Sequence, residues 1–256
     1  MQLHYHKIGE GEPIIILHGL FGSADNWLTV SRMLAESYQV YLPDQRNHGR
    51  SPWSEAFTYD AMSADLMEFI ETHQIQQPTI IGHSMGGKAA MRFAVRYPDA
   101  FRKLVVVDMA PKYYSPHHQQ ILAGLHSLNL ASLQSRQQAD DQLAQHIPEL
   151  GVRQFLLKNL YRNEQQLFAW RINLSVIARE IENVGEALVY TKPVEQPTLF
   201  LRGGLSGYVK DEDIKLMRQI FPQSSLETIP DAGHWLQAEK PKEFLKKVTA
   251  FIQAEK

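Results

Sequence analysis

Short apolar runs that stop at turn residues punctuate the chain, and between them apolar positions recur every three or four residues. Pro13 to Leu17 runs into His18-Gly19, and Pro78 to Ile81 runs into Gly82. Uninterrupted aliphatic stretches this short predict strands buried on both faces, as in a parallel sheet. Gln39 to Leu42, Lys103 to Val107, Pro197 to Leu201 and Leu226 to Ile229 also end at turn signals, while His4 and His6 fall in an expected edge strand near the amino terminus. Helical spacing links Trp27, Val30 and Leu34; Tyr59, Met62, Leu66 and Phe69; and Ala90, Phe93 and Ala94. A further helix is predicted from Pro241 to Ala254, with Pro at its start and Phe244, Val248, Phe251 and Ile252 on one face. Alternation of strand and helix predicts a right-handed, doubly wound α/β sheet whose functional groups gather at the carboxyl ends of the strands.

Between Pro111 and Lys192 the alternation breaks, and helices are expected over His117 to Leu130, Ser135 to Ile147, Val152 to Tyr161 and Phe168 to Glu182. The expected organisation is a core of residues 1–110 and 193–256 with an inserted helical cap over 111–192, which suits a chain of 256 residues. Lys and Arg number 26 against 28 Asp and Glu, a net charge of −2 that offers no field to hold nucleic acid or an anionic membrane. Cysteine is absent, which excludes disulfides, thiolate metal sites and a Cys nucleophile and fits a reducing compartment. The start lacks a basic region followed by an apolar run, and no aliphatic stretch approaches the roughly 20 residues that span a bilayer. A cytoplasmic location is therefore expected, while the oligomeric state is left open.

The chemistry centres on Gly82-His83-Ser84-Met85-Gly86, a Gly-x-Ser-x-Gly placed between a buried strand and a helix. A serine on so sharp a turn is held in strained backbone geometry, and its neighbours two positions away must be tiny. The helix that follows aims unpaired N–H groups at the place where an oxyanion would form. A serine hydroxyl needs a base, most often a histidine oriented by a carboxylate. Of the 11 histidines, His234 stands in a loop directly after the last expected strand, on the same edge as Ser84. His18 and His48 also lie at that edge, but each adjoins a glycine turn where bonding to backbone is the expected role.

His18-Gly19-Leu20-Phe21-Gly22-Ser23, Asp44-Gln45-Arg46-Asn47-His48-Gly49-Arg50-Ser51, Gly82-His83-Ser84-Met85-Gly86-Gly87 and Asp231-Ala232-Gly233-His234 together resemble, in order and spacing, the motif series of the α/β-hydrolase superfamily. The resemblance is to its small bacterial carboxylesterases, relatives of the abhydrolase-domain esterases, and it extends along nearly the whole chain, weakest in the cap. It implies a triad in the order Ser, acid, His, with Ser84 as nucleophile and His234 as base. Most of the superfamily takes the acid from a Gly-x-x-Asp turn after the penultimate strand, where this chain reads Gly203-Gly204-Leu205-Ser206. Ser206 cannot stay ionised beside an imidazolium. Asp108, closing the strand next to the nucleophile strand, is the expected replacement, and some members of this branch take their acid there; Asp211 and Asp213, at a helix start, are the alternatives.

The oxyanion hole is expected from the backbone N–H groups of Met85 and Leu20, with Phe21 second to Leu20. Phe21, Met85 and Trp235 are candidates for an acyl pocket, with Tyr113 and Tyr114 at the cap entrance. The resemblance thus implies a serine esterase acting on short to medium acyl esters of small molecules without metal or other cofactor. A thioesterase, lactonase, perhydrolase or carbon–carbon bond hydrolase would use the same triad. A non-catalytic ligand receptor is the alternative of another class, given weight by Ser206.

Overall fold

The computed structural model describes residues 1–254. Seven strands form one sheet in the order β1-β3-β2-β4-β5-β8-β9. They are β1 (Tyr5–Ile8), β2 (Glu12–Leu17), β3 (Tyr38–Pro43), β4 (Thr79–His83), β5 (Lys103–Val107), β8 (Thr198–Gly203) and β9 (Ser224–Ile229). Only β1, at one edge, runs antiparallel to its neighbour. The chain steps outward from β2 to β3 and then returns to place β4 on the other side of β2, so the strand order switches direction between β2 and β4. Ligands of doubly wound sheets bind at the carboxyl ends of strands beside such a switch, and there the loop after β2 meets the turn after β4.

Alternate side chains of each strand enter opposite cores, as a period of two dictates. Ile14 and Ile16, Val105 and Val107, and Leu199 and Leu201 face α1 (Leu28–Leu34) and the terminal helix α11 (Pro241–Gln253), packing on Trp27, Val30, Phe244 and Val248. Ile15, Ile80, Leu104, Val106 and Phe200 face α2 (Tyr59–Thr72), α3 (Met85–Arg96) and α9 (Ile214–Ile220), where Leu66, Phe93 and Met217 cover them. This is the α/β-hydrolase fold read from the sequence. Among the described residues no helix is long and apolar enough to cross a membrane.

The segment between β5 and β8 departs from an all-helical reading. It carries α4 (Gln119–Ser127), α5 (Arg136–Leu143), α6 (Leu150–Leu157), α7 (Leu174–Arg179) and α8 (Ile181–Val184), but also a hairpin of β6 (Leu160–Arg162) and β7 (Phe168–Trp170). The helix expected to reach Tyr161 stops at Leu157, and the one expected from Phe168 begins at Leu174. The hairpin's strands are too short to show an alternating pattern, and its turn uses Gln166 at φ +62° in place of a glycine. The last short helix, α10 (Leu236–Glu239), follows the loop bearing His234.

Candidate active site

Ser84 sits between β4 and α3 at φ +53° and ψ −119°, a conformation costly for a residue with a Cβ. The turn fits because its flanking positions lack side chains. A Cβ on Gly82 would come within 2.3 Å of the Gly86 carbonyl oxygen, and one on Gly86 within 2.3 Å of that of Leu17. The neighbouring parallel strand ends in the same way, with Asp108 at φ +49° one residue past β5. His83 and Val107 are register partners, so Ser84 and Asp108 leave adjacent strands at one level. The ladder runs on past them, since Ser84 N–H donates to Val107 O and Asp108 N–H to Leu201 O.

The Asp108 side chain is fully buried and fully engaged. Its Oδ2 accepts from His234 Nδ1 at 2.7 Å and from the Ser206 hydroxyl at 2.5 Å, while Oδ1 accepts from the Gly203 N–H at 3.1 Å. Donation from Nδ1 leaves Nε2 of neutral His234 with its lone pair. The imidazole is held between rings: Tyr208 stacks on it at 4.0 Å and 17°, and His83 lies 4.7 Å away. Nε2 of His83 also donates to the His234 carbonyl at 2.9 Å, which fixes the loop itself. Among the described residues the Ser84 hydroxyl makes no hydrogen bond, and it opens onto the cavity that His234 also lines. Serine–imidazole contacts are often long without substrate and tighten around it.

Asp211 and Asp213, the alternatives from the sequence, and Asp44, beside the site, are occupied elsewhere. Asp211 pairs with Arg202 at 2.7 Å. Asp213 pairs with Lys112 at 2.7 Å and accepts from the Lys210 N–H. Asp44 binds the Ala24 and Arg50 N–H groups and His4, tying together the loops beside the site.

Two buried histidines brace the loop after β2. His18 donates from Nδ1 to the Gly19 carbonyl and accepts the Gln45 N–H at Nε2; His48 donates from Nδ1 to the Arg46 carbonyl and accepts the Phe21 N–H at 3.2 Å. That last bond separates the two donors considered for the loop after β2. The Phe21 N–H is consumed, whereas the Leu20 N–H has no partner among the described residues. Met85 opens α3, where N–H groups lack intrahelical acceptors.

Burial holds these rings neutral. It pulls His48 and His83 down to about 3 and also lowers His18. The unfolded chain binds protons at these positions below about pH 6.5 and the folded chain does not, so their stabilising contribution is complete above that pH and declines as pH falls. Each such histidine should cost about 1.4 kcal/mol per pH unit through that window. Urea unfolding should accordingly show a lower midpoint at pH 5 than at pH 7; equal midpoints would contradict the neutral assignment.

The cavity over Ser84 has a volume of about 530 Å³. Phe21, Trp235, Ile121, Val152 and Phe155 supply apolar wall, the last four residues coming from α10's leading loop, α4 and α6, and the Phe155 and Trp235 rings lie 5.4 Å apart. Met85 is only 1% exposed and its side chain packs in the core rather than in this wall. Tyr113 is exposed, while the Tyr114 hydroxyl accepts from Ala110 N–H and donates to the Tyr208 carbonyl. Sequence reasoning flagged Ser206 only as a missing acid; its hydroxyl instead donates to Asp108. Nothing in the sequence pattern marked Tyr208 or His83 as the rings around His234.

An alpha/beta hydrolase fold family matches residues 12–241. The chain is 38% identical over 242 residues to esterase YbfF of Escherichia coli, covering 94% of this chain and 92% of that one. It is also 38% identical over 254 residues to the sn-1-specific diacylglycerol lipase ABHD11 of Danio rerio, covering 96% and 80%. A solved marine microorganism esterase superposes with a TM-score of 0.96 at 45% identity, covering 98% of this chain and 99% of that one. The chain belongs to the α/β-hydrolase family. With relatives of this kind along nearly its whole length, it is an enzyme of the carboxylic-ester hydrolase type.

Proposed function

We propose that the protein is a serine esterase that hydrolyses short to medium acyl esters of small molecules through an acyl-enzyme on Ser84. The observation that carries this reading is the 2.7 Å hydrogen bond from His234 to buried Asp108, made at the cavity onto which the Ser84 turn opens. In the first half-reaction Ser84 Oγ attacks the ester carbonyl and His234 Nε2 takes its proton, then passes it to the departing alcohol. Asp108 holds the tautomer with Nδ1 protonated and stabilises the imidazolium. The Leu20 and Met85 N–H groups receive the oxyanion, each such donor contributing on the order of 2.7 to 4 kcal/mol. Water, deprotonated by His234, then releases the acid.

Residues 111–192 act in this reading as a cap over a core of 1–110 and 193–256, since α4 and α6 contribute to the cavity wall. The volume of about 530 Å³ falls in the range of small-ligand sites, and the Phe21, Phe155 and Trp235 wall suits an acyl chain. The ligand-receptor alternative drew its weight from Ser206 standing where an acid is expected, whereas the contact between Asp108 and His234 supports the catalytic reading. Absence of cysteine fits the proposed cytoplasmic location.

A series of p-nitrophenyl esters from acetate to decanoate, with matched thioesters, tests the substrate class. Each buried methylene contributes about 0.8 kcal/mol, so kcat/KM should climb about fourfold per carbon until the wall is filled and then level off. Thioesters turned over faster than esters of the same acyl length would replace the esterase reading with a thioesterase one. Labelling of Ser84 by a fluorophosphonate without turnover of any ester would favour a receptor.

A further inference from the structure

Lys88 lies one helical turn beyond Ser84, yet it is only 1% exposed, an expensive place for an amine. Its backbone N–H donates to the Ser84 carbonyl at 3.1 Å, closing the first turn of the helix behind the nucleophile. Its side chain reaches the root of the 111–192 segment, where Nζ donates to the carbonyl of Lys112 on the outgoing chain and to that of Glu186, at 2.6 Å, on the returning chain. The ammonium also lies 5.1 Å from the centre of the Tyr114 ring.

The two chain crossings are bonded to each other by Tyr114 N–H to Gly185 O at 2.8 Å and Leu188 N–H to Pro111 O at 2.9 Å. Among the described residues, other core side chains hold one crossing only. Tyr59 donates to Val184 O and Arg92 to Val189 O on the returning chain, while Asp213 binds Lys112 Nζ on the outgoing one. Lys88 bonds both. A methionine of similar length would fill the space without the cost of burying an amine, so packing alone does not account for this residue.

We propose that Lys88 is a positioning residue: it fastens both crossings to the nucleophile turn, so that the cavity wall contributed by residues 111–192 keeps its register over Ser84 and selects acyl chains long enough to touch it. The inference rests on the esterase reading and on the cap it includes. Burial pulls the amine down to about 7, but a neutral amine still has two N–H donors for the two carbonyls, so the fastening survives loss of the proton. No atom of Lys88 need touch the substrate. Its effect on turnover passes through Ile121, Val152 and Phe155, which line the cavity.

Lys88→Met, Lys88→Gln and Lys88→Arg, compared on p-nitrophenyl acetate and p-nitrophenyl hexanoate, test this. Lys88→Met should raise KM for hexanoate about tenfold, the equivalent of one charge-assisted hydrogen bond lost, and leave kcat/KM for acetate within about threefold. Lys88→Arg, which keeps donors for both carbonyls, should recover much of the hexanoate KM, and Lys88→Gln, whose two N–H donors sit on a shorter side chain, should fall between and serves if the Met variant does not fold. Hydrogen exchange should quicken at the Tyr114 and Leu188 amides and stay slow along β4 and β5. Equal losses on both esters, an effect confined to kcat, or unchanged exchange at those two amides would overturn the proposal. A wild-type protein inactive on both esters would instead overturn the esterase reading itself.

Discussion

Ser84→Ala should abolish ester turnover, lowering kcat on the order of 10⁶-fold, because in the proposed mechanism removal of the attacking atom forfeits the acyl-enzyme route altogether. The loss should leave the fold intact. Among the described residues the hydroxyl makes no hydrogen bond that holds structure, and the strained φ of +53° persists for alanine. The variant should therefore unfold at wild-type denaturant concentration, bind esters with near-normal affinity and fail to react with a fluorophosphonate. Wild-type-like hydrolysis by this variant would remove Ser84 from the mechanism.

Asp108→Asn is the second large effect, expected on the order of 10⁴-fold in kcat. Its cause lies in how the carboxylate is held. The Gly203 N–H donates to Oδ1, so an asparagine at this position keeps its carbonyl oxygen there and turns its NH₂ toward His234. The ring nitrogen facing it then becomes an acceptor, the proton moves to Nε2, and the base for Ser84 is lost. Asp211→Asn and Asp213→Asn break only the pairs with Arg202 and Lys112 and should keep kcat within a few-fold. A kcat for Asp108→Asn no lower than for those two controls would exclude the role given to Asp108. Circular dichroism and urea unfolding of all three variants separate chemistry from folding.

Much of this architecture was legible because its signals are local. Buried parallel strands announce themselves as short aliphatic runs that halt at glycine, proline or aspartate, and the Gly-x-Ser-x-Gly turn is demanded by atoms a few residues away. The position of Asp108 was within reach for the same reason, because a carboxylate closing a strand beside the one that leads into Ser84 must emerge at the shared edge. Other features depend on residues far apart in the chain. The bond from Ser206 to Asp108 spans 98 positions and that from Lys88 to Glu186 also spans 98, and no periodicity reports such pairs. Acceptance of the Phe21 N–H by His48 is equally hidden, although it decides which amide after β2 is available. The hairpin between α6 and α7 escaped because three-residue strands carry almost no pattern and its turn lacks glycine.

In the proposed mechanism, an acid placed just after β5 separates proton chemistry from the architecture of the next loop. Ser84 and Asp108 are spaced by a hydrogen-bonded ladder that runs from Ser84 to Val107 and from Asp108 to Leu201. The turn after β8 is thereby released from carrying charge, and needs only a hydroxyl at Ser206 and a flat ring at Tyr208. A different ring at Tyr208, which lines the cavity, would reshape its wall without altering the spacing that the ladder sets between Ser84 and Asp108.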